Sequence, residues 1–208
     1  MKVIILTTDT LHHTYFIQEI AKIFPIAGIT VETHSRQAPF DTYHPFEKDR
    51  DLYEKGVFFG NDDVKLSDFA STLAVKSING NDATEHLRRI RPDIVIVFGT
   101  GKIKQHVIDV CPEGFINLHG GNSEEYRGLD SHLWAIYHND FNNIITTLHR
   151  LNEKLDDGDI ILQSTIPLKR GMGIHEIRRY NTEVCVELTF SAIDMFRRFG
   201  HFISRPQC

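Results

Sequence analysis

The sequence predicts an α/β protein, a mainly parallel sheet with helices on both faces and one antiparallel edge. Three observations carry this. Residues 2–7 (KVIILT) and 93–98 (DIVIVF) contain continuous apolar runs rich in β-branched residues, the pattern of strands buried on both faces. Between such runs lie segments with apolar residues near helical spacing, so the chain opens as a βαβ unit. Residues 143–163 contain two apolar segments joined by a tight acidic turn, which reads as an antiparallel pair.

Taken in order, 2–7 is a first strand and Thr8, Asp9 and Thr10 are capping candidates for a helix over 11–24, which Pro25 helps to end. IAGITVE (26–32) is a second strand. Residues 33–65 are polar with scattered aromatics, and 46–54 can be helical. Residues 67–74 read as a short helix or loop leading to a weak strand at VKSIN (75–79). Asn81 and Asp82 cap a helix over 83–90. The strand DIVIVF then ends in Gly99-Thr100-Gly101, a sharp turn, and a helix follows around 104–110. GFINLH (114–119) is a strand, 131–138 a helix, 143–151 and 159–163 two strands. Residues 174–199 form a long helix of period near 3.6. No repeat or linker interrupts this, so 1–208 is expected to be one catalytic domain with 174–208 as a C-terminal helical extension.

Size and composition narrow the function. With 208 residues and 41% hydrophobic content the chain can bury one sizeable core. The net charge of -5 offers no basic excess for nucleic acid. The three cysteines, Cys111, Cys185 and Cys208, form no CxxC pair, so neither a disulfide framework nor a zinc site is expected, and a reducing cytoplasm fits. The apolar run at the N-terminus is too short for a signal peptide, and no run approaches a membrane span. No GxGxxG follows the first strand, which argues against a NAD-binding enzyme.

The chemistry concentrates at the ends of two strands. In open α/β sheets, ligands gather beyond the carboxyl ends of the strands. One strand ends in FGTG, whose glycines let a flat ligand approach the backbone. The other ends in Asn117-Leu118-His119, where the two polar side chains project from one face. An amide and an imidazole together can stabilise an oxyanion. Alternatively, Asn117 caps a turn and His119 is a polar strand end. The acidic turn Leu155-Asp156-Asp157-Gly158-Asp159 can do no more than favour turn geometry, or can set a carboxylate beside His119.

NLH, followed by YRG and then by LD-x-GD-x-x-LQ, resembles the 10-formyltetrahydrofolate-dependent formyltransferases. That family includes glycinamide ribonucleotide, methionyl-tRNA and sugar-nucleotide formyltransferases. The resemblance runs from about residue 92 to 167, with three separated motifs in order. It implies a formyltransferase fold and 10-formyltetrahydrofolate as cosubstrate, with no metal. It implies that Asn117, His119 and Asp156 are catalytic. Phe98, Gly99, Thr100, Gly101, Lys102 and Ile103 would flank the pterin on one side, and Leu155, Asp157, Gly158 and Asp159 on the other. Tyr126, Arg127 and Gly128 would lie beside the acceptor pocket. Contact with Asp156 is expected to raise the proton affinity of His119.

Departures from the relatives guide the acceptor. The Gly-rich phosphate loop of the glycinamide ribonucleotide enzymes is replaced by TTDTLHHTYF. The tRNA enzymes typically add a C-terminal domain and basic surface and carry an SLLP-type stretch where this chain reads GGNSEEYRG. The expected acceptor is therefore a small primary amine, that of a nucleotide-linked amino sugar, with no nucleic-acid or membrane partner. His12 and His13, with Tyr15, Tyr43, His44 and Phe46, are candidates to stack on its base or sugar, or are ordinary packing residues. Lys102 and Arg127 are candidates to meet a phosphate or the folate tail, or are solvated charges. The exposed face of the last helix can pair two subunits. Hydrolysis of formyltetrahydrofolate and a non-catalytic binding module stay open as alternatives.

Overall fold

The computed structural model describes residues 1–34 and 44–208. Tyr43, one of the stacking candidates, lies outside the described residues, as do residues 35–42 of the polar segment 33–65. Seven strands form one sheet: β1 (Val3–Thr7), β2 (Ile26–Glu32), β3 (Thr72–Val75), β4 (Ile94–Phe98), β5 (Phe115–His119), β6 (Ile145–Arg150) and β7 (Ile160–Thr165). Their order is β3-β2-β1-β4-β5-β6-β7. The pairs from β3 to β5 are parallel, and β6 and β7 are antiparallel additions, as the sequence pattern predicts.

The helices are α1 (Leu11–Ala21), α2 (Glu47–Phe58), α3 (Asn81–Ile90), α4 (Gln105–Ile108), α5 (Ser131–Tyr137) and α6 (Ile177–Phe199). The period-2 alternation of the central strands splits the core. Val3 and Ile5 of β1, and Ile94 and Ile96 of β4, pack with Phe16, Ile17 and Ile20 of α1 and Val184, Leu188 and Ala192 of α6. Ile4, Leu6, Val95 and Val97 face the other way, onto Ala83 and Leu87 of α3 and Val107 and Ile108 of α4. Both faces are thus covered, which is why these strands read as unbroken apolar runs. A buried carboxylate locks α2 to α6: Glu54, fully buried, accepts from Arg178 Nε at 2.6 Å.

Local expectations needed correction in four places. The third strand is Thr72–Val75, paired in register with β2, and not VKSIN; after Val75 the chain turns so that Ile78 N–H donates to Glu32 at the end of β2. Gly80, in extended conformation, is the residue before α3, so Asn81 and Asp82 form the first helical turn, and no side chain caps it. The predicted 104–110 helix shrinks to the single turn Gln105–Ile108, since Pro112 disfavours helical backbone at Cys111. The long final helix starts at Ile177, after a 3-10 turn at Ile174–Glu176. No helix among the described residues is long and apolar enough to cross a membrane.

Chain order reverses between β1 and β4: β2 and β3 build outward on one side, β5 to β7 on the other. A crevice forms beyond the carboxyl ends at such a switch point. Thr7 and Phe98, the last residues of β1 and β4, are direct partners there.

Candidate active site

Strand period brings Asn117 and His119 to the same face of β5. The antiparallel register then sets His149 of β6 directly opposite Asn117. Asn117 Nδ2 lies 3.0 Å from His149 Nε2, and His149 Nδ1 lies 2.7 Å from the Arg150 carbonyl. That carbonyl can only accept, so Nδ1 carries a proton. In the neutral ring Nε2 is then an acceptor, and the amide of Asn117 donates to it. His149 is 1% exposed, and this lock fixes the orientation of the Asn117 side chain.

The turn after β6 supplies the carboxylate. Asp156 adopts left-handed backbone, φ 46°, which Asp tolerates better than most residues. Its Oδ2 accepts from Gly128 N–H at 2.9 Å and lies 3.4 Å from His119 Nδ1. Its Oδ1 lies 3.4 Å from Asn117 Nδ2 and 3.6 Å from His149 Nε2. Gly158 makes this approach feasible. A Cβ there would sit 1.7 Å from the Arg150 carbonyl oxygen, so only glycine lets the turn close onto the end of β6. Asn117, His119 and Asp156 therefore converge, with His149 as a fourth member. The sequence reading missed His149; its signal was the polar residue alternating with Thr147 inside an apolar strand, and only the register gives it meaning.

Electrostatics corrects one expectation. His119 has acceptors on both sides, since its Nε2 donates to the Tyr126 carbonyl at 2.8 Å while Nδ1 faces Asp156. Asp156 and that carbonyl favour the cation, but burial outweighs them and holds the His119 pKa below its ordinary value. His119 is a neutral N–H donor near pH 7, not the proton-hungry imidazole that the pairing suggested. For Asp156, burial by itself would raise the pKa. The His149 contact, His119 and the Gly128 N–H together outweigh it and keep the carboxyl below its usual range, hence ionised.

The FGTG loop is rigid for identifiable reasons. Glu32, at the end of β2, accepts from Ile78 N–H and, at 2.8 Å, from Gly101 N–H. Asn79 donates to the Lys102 carbonyl and accepts from Lys104 N–H. Glu153 Oε1 accepts from Gln105 N–H at 2.9 Å, joining this loop to the segment that leads into the Asp156 turn. Phe98 and Ile103 point into the core, and Lys102 is exposed. Gly99 has φ +83° and no room for a Cβ, which would fall 2.1 Å from the His13 ring. Thr100 follows it at the open end of β4, and Leu155 and Asp159 are exposed on the opposite turn.

Several predicted contacts go elsewhere. His13 is 4% exposed, packed against Phe98 and bonded to Thr8 and Thr10, and burial lowers its pKa to about 3. It supports the Gly99 turn from below. His12, beside it, bonds to Thr10, and burial holds its pKa well below 6.5. Tyr15 stacks on Phe58, and His44 stacks on Phe46 while pairing with Asp130 at 3.2 Å. Arg127 is exposed but held along the surface: its guanidinium donates to the Ser123 carbonyl, Asp157 and Gln207. The Tyr126 hydroxyl donates to Asp140. Gly128, φ +89°, supplies the N–H that Asp156 receives.

The loop after β4 and the acidic turn are tied together by the Glu153 contact with Gln105 N–H. Among the described residues, no three His, Cys, Asp or Glu side chains group as metal ligands.

Known proteins resemble this chain in sequence and in fold. A methionyl-tRNA formyltransferase of Akkermansia muciniphila is 40% identical over 98 residues, covering 47% of this chain and 31% of that protein. Another, of Borrelia turicatae, is 27% identical over 150 residues, covering 71% of this chain and 48% of that protein. The chain thus spans less than half the length of these relatives. Glycinamide ribonucleotide transformylase 1 from Symbiobacterium toebii superposes with a TM-score of 0.68 at 17% identity, covering 100% of this chain and 94% of that one. A sugar 3N-formyl transferase, solved with dTDP and 5-N-formyl-THF, gives 0.63 at 14% identity, covering 100% and 66%. Those two likenesses establish the fold, and the formyl transferase family model matches residues 53–189, well over half of the chain: the protein belongs to the formyl transferase family.

Proposed function

We propose that this chain transfers a formyl group from 10-formyltetrahydrofolate to a primary amine. The observation that carries this reading is the convergence of Asn117, His119, Asp156 and His149 in one network at the end of β5. The amine nitrogen bonds the formyl carbon, the carbonyl oxygen becomes an oxyanion, and the bond from carbon to N10 then breaks. Asn117 holds an N–H donor for that oxyanion; the one N–H of neutral His119 reaches it by exchanging the Tyr126 carbonyl, which it meets in the free protein, for the oxyanion. The Asn117 contact with Asp156, at 3.4 Å, is long and easily exchanged for it. Asp156, ionised, accepts the ammonium proton directly or through water and passes it on to N10, which leaves as the amine while the oxyanion collapses to the formamide carbonyl.

The pterin is proposed to lie between Phe98–Ile103 and Leu155–Asp159, and the amine beside Tyr126–Gly128. For the acceptor we favour an amino sugar linked to a nucleotide. GGNSEEYRG in place of the tRNA enzymes' stretch supports it, as does the exposed aromatic edge of α5 just beyond that loop, Trp134 and Tyr137, which can stack on a base. Methionyl-tRNA is the second reading, supported by the identity to enzymes of that name. Residues 1–208 are proposed to act as one catalytic unit that includes the 174–208 helical extension, in the cytoplasm.

The test is formyl transfer from 10-formyltetrahydrofolate to nucleotide-linked amino sugars, free amino sugars, glycinamide ribonucleotide and methionyl-tRNA, with a water control, read by mass spectrometry. Asn117→Ala, His119→Ala and Asp156→Asn should each lower turnover by roughly two to three orders of magnitude. Near wild-type turnover in all three folded variants excludes the mechanism. Folate turnover with water alone identifies a hydrolase.

A further inference from the structure

The chain after α6 reaches back to the site. Phe202 is buried in the main core, and Ile160 and Arg205 exchange both backbone hydrogen bonds, at 2.8 and 2.9 Å, along the outer edge of β7. The Arg205 guanidinium grips both oxygens of Glu124 at 2.8 Å, and Cys208 N–H donates to the same carboxylate. Between these anchors, Gln207 uses its whole carboxamide. Nε2 donates to the Asp156 carbonyl at 3.0 Å and to the Gly158 carbonyl at 2.7 Å, while Oε1 accepts from Arg127 at 3.1 Å. The orientation follows from the partners, because two carbonyls can only accept and a guanidinium can only donate.

We propose that Gln207 is a positioning residue that clamps the carbonyls on both sides of Asp157 and so holds the Asp156 carboxylate on His119 and Gly128. This rests on the formyl-transfer reading for its catalytic consequence, though not for its structural one. Asp156 sits in left-handed backbone, which the turn does not hold at no cost, and its carboxylate must meet four partners at once. Gly158, packed against the Arg150 carbonyl at the end of β6, fixes one side of the turn, and Gln207 fixes the outer side. The strap also joins the turn to the loop after β5 through Arg127, so both walls of the site move together.

The test is Gln207→Met in the full chain, which removes both donors at nearly equal volume. Turnover should fall about tenfold with the acceptor KM little changed, and the titration of the His119 ring, followed by NMR, should shift to lower pH as the carboxylate moves off it. The groups acting on that titration are Asp156 from the turn, His149 from β6, Arg127 from the loop and His132 from α5. Arg127 keeps Ser123 and Asp157 in the variant, so Asp156 is the one released. In an Asp156→Asn background, Gln207→Met should shift the His119 titration no further. If the wild-type protein formylates nothing, the function reading fails while the titration still decides the clamp. An unchanged titration with unchanged turnover overturns the clamp. If Gln207→Met does not fold, Gln207→Asn, whose amide falls one methylene short, is read by the same measurements.

Discussion

Replacing Gly158 by Ala tests whether the acidic turn must close onto β6 for the chain to work. The added Cβ would lie 1.7 Å from the Arg150 oxygen, 2.6 Å from its carbon and 3.3 Å from His149 Nδ1. Carbon–oxygen contact needs more than 3 Å, so the turn must retreat by about 1 Å or more, the scale of displacement that costs roughly 100-fold in a positioned reaction. The same retreat disturbs the carbonyl that holds the His149 tautomer, and with it the orientation of Asn117. Overpacking of this kind costs about 1–3 kcal/mol, which for a chain of this size is a fall in melting temperature of roughly 3–10 °C. Steady-state formyl transfer and a thermal melt on the same preparation read both effects. Wild-type turnover in Gly158→Ala would refute the argument, because it would mean that the Asp156 geometry is not required.

Three further outcomes are expected. Gly99→Ala should lower the melting temperature and weaken folate binding more than Gly128→Ala. Both break a positive φ, at about 1–2 kcal/mol, but only the former drives a Cβ into His13, 2.1 Å away, whereas Leu155 lies 3.6 Å from the latter. Equal melts would show that His13 does not support the loop. Glu32→Gln should turn an amide N–H toward either Ile78 or Gly101 N–H, stranding a buried donor at about 1–3 kcal/mol, and equilibrium folate binding should weaken as the loop loosens. Acid should destabilise the protein early. Burial lowers His13 to about 3 and His132 to about 4 from an unfolded value of 6.5. Their contribution is complete above pH 6.5 and declines as pH falls toward those values, by up to about 1.4 kcal/mol per pH unit for each. A melting temperature constant between pH 7 and 5 would contradict it.

Pattern along the chain is enough to specify the sheet and to set Asn117 and His119 on one face of β5. Runs of five residues, mostly β-branched, are too short for buried helices and read as strands covered on both faces, and the two-residue period puts Asn117 and His119 on one side whatever surrounds them. Tertiary structure decided the rest, for two physical reasons. Register is a relation between strands: His149 meets Asn117 across 32 positions of chain, and Gln207 meets the Asp156 turn across about fifty, distances over which local pattern carries no information. Burial is a property of the whole assembly. The pairing of His119 with Asp156 predicts a cation, yet desolvation by the surrounding core overrides that single contact, and the same desolvation makes His13 a neutral packing residue under a glycine turn.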